Sequence, residues 1–298
     1  MSTDSLWVYL DGEYMKRPEA KISIFDHGLM YGDGVFEGIR AFGGVVFKLD
    51  EHITRLFSSA KMIKLQVPAS KEDIIVIVLE VLRRCELQDA YIRVVVTRGV
   101  GPVGLSYLNC PKPTFMVFAE PIVSTSMLEE KGVSAIVSSI RRDPVDATTH
   151  EIKSLNYLNS IMAKTEAIVL GIDEAIMLDT RGFVSEATTT NIFIVKNLEI
   201  TTPPATAGIL HGITRDRVIE LARELGYLVT VRDMTIYEVV SADEVFLVGT
   251  YAGIIPMVEL KRDSIGDGKP GLVTRRLIEV FKKIAREPTE GTVIYTEK

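Results

Sequence analysis

A lysine, a glutamate and a short turn are the residues of this chain whose types could carry chemistry. Lys153 stands just before a predicted helix, and Glu186 ends a strand-like stretch. Gly212-Ile213-Thr214-Arg215 opens another predicted helix, where backbone N–H groups and a threonine hydroxyl can hold a phosphate. Taken singly, each has an ordinary alternative: a surface lysine, a loop acid and a capping threonine.

Two further segments add to this set. Arg55 lies on a predicted helix whose apolar face contains Leu56 and Ile63, and its ordinary interpretation is a solvated surface charge. Gly249-Thr250 follows a predicted strand and offers another exposed amide and hydroxyl, although a plain turn would look the same. Only the combination of these segments, in this order, is distinctive.

Other familiar catalytic sites are missing from the sequence. It has no G-x-x-x-x-G-K-[ST] phosphate loop, no G-x-G-x-x-G between a strand and a helix, and no G-x-S-x-G turn. The histidines lack the spacing of metal ligands, so we expect no metal site; they are His27, His52, His150 and His211.

The composition is that of a soluble globular protein. The chain has 298 residues, of which 47% are hydrophobic and 25% charged, enough for two domains or one large one. A net charge of -6 without a dense Lys/Arg run indicates that nucleic acid is not a partner. Cys85 and Cys110 fit free thiols in a reducing cytoplasm. The N-terminus lacks a signal peptide, and the apolar stretch Ile74–Leu82 is interrupted by Glu80, so we expect a cytoplasmic protein without a membrane span.

Strands and helices are interleaved along the whole chain, which predicts a mixed α/β class. Helical spacing is clearest over Glu51–Leu65, and Ser70 can cap a second helix over Lys71–Cys85. Further helices are predicted at Ser154–Leu170, Thr214–Leu225 and Gly271–Arg286. The principal predicted strands are Leu6–Leu10, Ala20–Phe25, Val35–Phe42, Tyr91–Thr97, Thr114–Ala119, Val133–Ser138, Glu174–Leu178, Asn191–Val195 and Val245–Val248.

A polar stretch after Pro121 predicts the boundary between two domains. We expect a small α/β domain at residues 1–120, a linker at 121–129 and a large domain at 130–298.

The stretch Phe25–Arg40, FDHGLMYGDGVFEGIR, resembles the opening of the class IV (fold type IV) aminotransferases. Its end, Phe36-Glu37-Gly38-Ile39-Arg40, is most similar to the branched-chain amino-acid aminotransferases. The similarity continues to about Pro256 through His52–Leu56, Tyr91–Arg93, Lys153–Asn159, Ser185–Phe193, Leu210–Arg215, Asp243–Phe246 and Gly249-Thr250. The resemblance implies a two-domain fold type IV enzyme that binds pyridoxal phosphate, with a smaller α/β domain and a larger pseudo-barrel domain.

The resemblance also assigns residues to the cofactor, pyridoxal 5'-phosphate. Lys153 would join the cofactor's aldehyde as an imine and would move the proton of the substrate's α-carbon. Glu186 would keep the pyridine nitrogen protonated, so that the ring can take up electrons. Tyr157 would lie near the ring and its phenolic oxygen. The phosphate would be held by Arg55, Ile213, Thr214 and Thr250.

The implied reaction moves the amino group of L-leucine, L-isoleucine or L-valine to 2-oxoglutarate in a ping-pong sequence. Aromatic walls suit the aliphatic side chains, and an arginine suits the distal carboxylate of glutamate. The implied substrate residues are Tyr31, Phe36, Arg40, Tyr91, Arg93 and Tyr251. The loop Arg98–Gly104 would act as a lid, and the resemblance implies a homodimer or a higher homo-oligomer.

Alternatives remain on the same fold: a D-amino-acid aminotransferase, or a lyase acting on aminodeoxychorismate. The segments Phe36–Arg40 and Tyr91–Arg93 argue against both. A non-catalytic binding protein is a third possibility. Two departures from many relatives, Ala187–Thr190 in place of a glycine-containing segment and Tyr251 in place of alanine, would reshape the pocket. The preference among leucine, isoleucine and valine therefore stays open.

Overall fold

The structure is a computed structural model that describes residues 3–122 and 124–295. The strands are β1 (Trp7–Leu10), β2 (Glu13–Lys16), β3 (Gly34–Phe42), β4 (Val45–Phe47), β5 (Ala90–Thr97), β6 (Thr114–Pro121), β7 (Val133–Arg141), β8 (Glu174–Leu178), β9 (Val184–Ala187), β10 (Asn191–Lys196), β11 (Glu199–Thr202), β12 (Val229–Val231), β13 (Glu244–Gly249), β14 (Gly253–Leu260), β15 (Asp263–Ser264) and β16 (Gly291–Val293). The α-helices are α1 (His27–Tyr31), α2 (Leu49–Met62), α3 (Lys71–Arg84), α4 (Ser126–Lys131), α5 (Leu158–Val169), α6 (Ile213–Glu224), α7 (Ile236–Val240) and α8 (Leu272–Ile284).

The chain divides into two compact units that are not continuous in sequence. The first unit is Met1–Val123, Ile152–Asn156 and Ile284–Lys298, and the second is Ser124–Glu151 and Tyr157–Lys283. The first unit therefore includes two segments that the sequence prediction assigned to the large domain. The pairing of distant segments, such as β16 with β4, has no local sequence pattern that could reveal it.

The first unit is built on an antiparallel sheet with the strand order β16-β4-β3-β5-β6-β1-β2. Helices α2 and α3 pack on this sheet, and the core between them is apolar. On β3, Val35 and Ile39 are fully buried, as are Ile53 and Leu56 of α2. The predicted helix face that contains Ile53 and Leu56 therefore faces the core.

The second unit is built on a mixed sheet with the strand order β12-β11-β10-β13-β14-β7-β8-β9, and β15 pairs with β14. Strand β7 runs parallel to both of its neighbours, β14 and β8, whereas β8 and β9 are antiparallel. Strands β9 and β10, at the two ends of a six-strand path, also lie against each other, so the sheet curls into a barrel-like form. The predicted mixed α/β class with a pseudo-barrel is confirmed.

Two predicted elements differ from the structure. Ala20–Phe25 is not a strand: the partner of β1 on that side is Glu13–Lys16, and Ile24 and Phe25 are exposed. The helix predicted to begin at Ser154 begins at Leu158. Residues Ile152–Asn156 are held by β3 instead, since Phe36 N donates to Lys153 O and Leu155 N donates to Gly34 O, both at 3.0 Å.

Within residues 3–122 and 124–295, no helix combines the length and the apolar character that crossing a membrane requires.

The start of α3 forms as the sequence predicts. Ser70 Oγ accepts a hydrogen bond from Asp73 N at 3.1 Å, and the Asp73 carboxylate accepts one from Ser70 N at 3.3 Å. Each residue thereby satisfies a backbone donor that a helix start leaves without a partner.

We expect Ser70→Ala to lower the free energy of unfolding by about 1 kcal/mol, because one cap hydrogen bond is lost. Urea unfolding followed by circular dichroism would measure the change. Ser58→Ala is the matched control: Ser58 is exposed within α2, and its hydroxyl only contacts Thr54 O. Equal effects of the two substitutions would contradict the capping role.

Candidate active site

Lys153 lies in the extended segment of the first unit that pairs with β3. Its backbone N donates to Ser59 Oγ of α2 at 3.1 Å, and its carbonyl accepts from Phe36 N of β3. Lys153 Nζ lies 4.6 Å from the centre of the Phe36 ring. The backbone that carries this amine is thus tied to a helix and to a strand.

The surroundings of Lys153 favour the neutral amine. Burial is the main cause that lowers the pKa of Lys153, to about 8, and the charges of Arg55 and Arg93 act in the same direction. The Glu37 carboxylate opposes them and keeps the pKa from falling further. At pH 7, about a tenth of such amines are neutral, far more than for an ordinary lysine. A neutral amine is the form that attacks a carbonyl group.

A buried ion pair lies beside this amine. Arg55 of α2 donates to the Glu37 carboxylate of β3 through Nε at 2.7 Å and through a terminal nitrogen at 2.8 Å. His52, one helical turn earlier, contacts the same carboxylate through Nδ1 at 2.8 Å. Glu37 and His52 are both completely buried. Because Glu37 binds Arg55 through two nitrogens at once, it fixes the orientation of the guanidinium plane.

The charge states in this cluster follow from its contacts. Burial acts to raise the pKa of Glu37, but the Arg55 charge and the hydrogen bonds from Arg55 and His52 outweigh it and bring the pKa to about 2. Burial lowers the pKa of His52, so its ring is neutral at pH 7. A carboxylate only accepts hydrogen bonds, so the proton of neutral His52 lies on Nδ1.

Four of the predicted substrate residues share one face of the sheet. Arg40 pairs with Tyr91 and Gly38 pairs with Arg93 across β3 and β5, so their side chains point to the same side as that of Phe36. The Arg93 guanidinium lies 3.5 Å from the centre of the Phe36 ring, and its NH1 donates to Tyr91 Oη at 3.3 Å. A Cβ at Gly38 would lie 2.2 Å from Tyr91 Oη, so only glycine leaves room for this tyrosine.

Tyr31 contacts the loop that the sequence suggests as a lid. Gly104 N donates to Tyr31 Oη at 2.9 Å, and Pro102 O lies 3.0 Å from Nε2 of His27. Val103, between them, is 81% exposed. The loop is therefore anchored by its backbone and presents an apolar side chain outwards.

Glu186 lies on β9 of the second unit and is almost completely buried. Asn191 Nδ2 donates to its Oε2 at 3.0 Å, and Leu210 N donates to the carboxylate at 3.2 Å. Arg142 forms an ion pair with Oε1 at 3.3 Å. Glu186 is thus a carboxylate held in one orientation, as a partner for a protonated ring nitrogen must be.

The start of α6 has the features of a phosphate site. Gly212, not Thr214, occupies the N-cap position, and it brings no side-chain hydrogen bond. A Cβ at Gly212 would lie 2.1 Å from Asn191 Oδ1, so only glycine fits there. Thr214 is buried in the first turn, and its Oγ1 has no hydrogen-bond partner among the described residues. The ordinary capping role for Thr214 is wrong, and its hydroxyl is instead suited to an anionic ligand beside Ile213.

The other predicted residues of this unit lie outside its helices and strands. Tyr157 immediately precedes α5, and its ring lies 5.9 Å from that of His150. Thr250 and Tyr251 form the turn between β13 and β14, where Tyr251 is 46% exposed. In Ala187–Thr190, the segment that departs from many relatives, Thr188 Oγ1 donates to Glu174 Oε1 at 2.6 Å.

Each unit holds part of the predicted donor set. The first supplies a partly neutral amine, and the second supplies a buried carboxylate and a helix start suited to an anion. This donor set fits pyridoxal 5'-phosphate, which carries an aldehyde, a ring nitrogen and a phosphate.

The sequence prediction assigned no role to Glu37, His52, Asn191 or Arg142. Of these, only Glu37 could have been found from the local sequence. Strand alternation places its charge on the same face as the apolar Val35 and Ile39, which indicates a buried carboxylate.

Comparisons with known proteins agree with this donor set. Residues 34–260 match the family model for amino-transferase class IV. A Methanocaldococcus jannaschii protein with the provisional name of branched-chain-amino-acid aminotransferase is 51% identical, over 97% of this chain and 99% of its own. The D-alanine aminotransferase of Bacillus licheniformis is 34% identical, over 96% of this chain and 99% of its own.

A solved structure, the T.th. branched-chain amino acid aminotransferase with pyridoxamine 5'-phosphate, matches with a TM-score of 0.94 at 34% identity, over 98% of this chain and 99% of its own. That enzyme has also been solved with N-(5'-phosphopyridoxyl)-L-glutamate and with 4-methylvaleric acid. The chain belongs to the class IV aminotransferase family and has the fold type IV architecture.

We expect Glu37→Gln to shift the titration of the Lys153 amine to lower pH, because the carboxylate charge that raises this pKa is removed. Pulse labelling of cofactor-free protein with an amine-reactive reagent, read by mass spectrometry at a series of pH values, would give the midpoint, expected near pH 8 in the natural chain.

Glu80→Gln is the matched control, because Glu80 pairs with Arg84 on α3, a partly exposed helix of the same unit. It should leave the midpoint in place. A midpoint that stays constant or rises in Glu37→Gln would contradict the assigned electrostatics.

Proposed function

We propose that this chain transfers the amino group of L-leucine, L-isoleucine or L-valine to 2-oxoglutarate, using pyridoxal 5'-phosphate. The observation that carries this proposal is the amine of Lys153. Its pKa is lowered to about 8, and it lies outside any helix on a segment tied to β3 and α2. A surface lysine would have neither feature.

We assign each part of the cofactor to residues predicted from the sequence. Lys153 would bind its aldehyde carbon covalently. Glu186 would accept a hydrogen bond from the ring nitrogen, and Tyr157 would contact the phenolic oxygen. The phosphate would be bound by Arg55, by the backbone and side chain at Ile213 and Thr214, and by Thr250. The buried hydroxyl of Thr214, without a partner among the described residues, supports this assignment.

When bound, the cofactor supplies the electron sink for cleavage of the bond between the α-carbon and hydrogen. Lys153 Nζ would take the proton from the substrate's α-carbon as a general base and return a proton as a general acid. A pKa near the working pH serves both directions, because the amine can be neutral in one step and protonated in the next. Glu186 would hold the proton on the ring nitrogen through its hydrogen bond.

The substrate would meet the face formed by Phe36, Arg40, Tyr91 and Arg93. The aromatic rings would accept a branched aliphatic side chain, and a guanidinium would accept the distal carboxylate of glutamate. The glutamate adduct and the branched acid bound by the T.th. enzyme support the same two substrate types. We also assign Tyr31 and Tyr251 to this pocket.

A D-amino-acid aminotransferase is the second candidate, because the D-alanine enzyme of Bacillus licheniformis matches over nearly its whole length. The higher identity of the Methanocaldococcus jannaschii protein favours the branched-chain reaction. The cytoplasmic location and the homodimer stay predictions of the sequence.

Reduction with borohydride should fix the cofactor to Lys153, because it converts the covalent link into a stable amine. Peptide mapping by mass spectrometry would identify the labelled residue. Lys164, partly exposed on α5, serves as an internal control and should stay unlabelled. A label on another lysine, or no label at all, would overturn the proposed function.

We expect L-leucine with 2-oxoglutarate to give 4-methyl-2-oxopentanoate and L-glutamate, and D-alanine to react about a hundredfold more slowly. Coupled detection of each 2-oxo acid would measure both rates. A D-alanine rate equal to or above that of L-leucine would establish the second candidate instead. Release of pyruvate from aminodeoxychorismate would establish the lyase.

A further inference from the structure

Arg142 is a fully buried arginine directly after β7 in the second unit. Its residue exposure is 1%, and it is the largest completely buried side chain in the described part of the chain. A guanidinium stays protonated at any ordinary pH, so this position holds a permanent positive charge out of water. Such a charge is costly unless it is paired.

The contacts of Arg142 converge on the strand that carries Glu186. One terminal nitrogen, NH2, donates to Ala187 O of β9 at 2.8 Å and lies 3.3 Å from Glu186 Oε1. The other, NH1, donates to Ser160 Oγ of α5 at 3.0 Å and to Asn159 Oδ1 at 3.2 Å. The guanidinium therefore links α5 to the backbone of β9 beside the carboxylate.

Glu186 supplies the countercharge for this arginine. Among the described residues, it is the only carboxylate within 4.0 Å of Arg142. The remaining partners of Arg142 are neutral oxygens, together with His150 Nε2 at 3.4 Å from NH1. The same Nε2 lies 3.9 Å from Glu186 Oε1, so the His150 ring stands beside both charged groups.

We propose that Arg142 is a positioning residue for Glu186. It fixes Oε1 of the carboxylate, while Asn191 Nδ2 and Leu210 N donate hydrogen bonds to the same group. The proposal rests on the proposed function, in which Glu186 faces the ring nitrogen of the cofactor. Arg142 itself acts through Glu186 and has no role in contacting the substrate.

The test compares Arg142→Gln and Arg142→Lys in the holoenzyme. If Glu186 loses its fixed position, the ring nitrogen of the cofactor holds its proton less firmly. The pyridine ring is then less strongly electron-withdrawing. The nitrogen that joins Lys153 to the cofactor then keeps its own proton to higher pH. The pH midpoint of the cofactor's visible absorption should therefore rise by about one unit in Arg142→Gln, and the transamination rate should fall about tenfold or more.

Arg142→Lys keeps the charge but loses the planar fork, so its midpoint should rise by a smaller amount in the same direction. This variant also decides the question if Arg142→Gln does not fold. Arg217→Gln is the matched control, because Arg217 is a buried arginine of the same unit whose NH1 pairs with Glu224 at 2.9 Å. We expect it to lower the thermal midpoint and to leave the absorption midpoint in place.

An unchanged or lowered absorption midpoint in coloured, folded Arg142 variants would overturn the positioning role and reduce Arg142 to a structural residue. Failure of the proposed function is a different result. In that case the natural chain itself would take up no pyridoxal 5'-phosphate, or borohydride would label a residue other than Lys153.

Discussion

Compensation of buried charge constrains both units of this protein. A carboxylate removed from water is costly unless a cation and hydrogen-bond donors surround it. Glu37 occupies a core-facing position of β3, which is tolerable only because α2 brings Arg55 and His52 against it. Glu186 is buried on β9 and is paired with Arg142, which directly follows β7. The register of these strands and the approach of α2 are therefore tied to two ion pairs as well as to the apolar cores.

The ion pair of the first unit sets the character of Lys153. Burial and the nearby guanidinium groups favour a neutral amine, whereas Glu37 favours the ammonium, and the balance leaves a pKa of about 8. With an apolar residue at position 37, Arg55 would be left without its carboxylate and would favour the neutral amine more strongly. An amine that has to lose and regain a proton works best when neither form dominates completely. Electrostatic balance, rather than burial alone, therefore suits this lysine to proton transfer.

Local rules predicted the elements whose signals are local. Ser70 caps α3, Ile53 and Leu56 of α2 face the core, and β3 follows the predicted strand closely. The prediction failed where distant contacts decide the structure. Residues Ile152–Asn156 have acceptable helix formers, but β3 offers them backbone hydrogen bonds, so α5 begins later. The burial and the contacts of Arg142 could not be predicted from nearby residues, because it binds Ala187 of β9, more than forty residues away.

The fold by itself does not select the substrate, since enzymes named for branched-chain substrates and for D-alanine match this chain over most of its length. The selective features must be side chains, and the face shared by β3 and β5 holds a suitable set. Gly38 leaves the space that the Tyr91 hydroxyl occupies, and Arg93 NH1 donates to that hydroxyl while its guanidinium lies over Phe36. A guanidinium stacked on an aromatic ring can offer its N–H groups to a carboxylate, and the rings beside it remain an apolar surface. In the proposed reaction, one face would then accept glutamate and a branched aliphatic amino acid in turn.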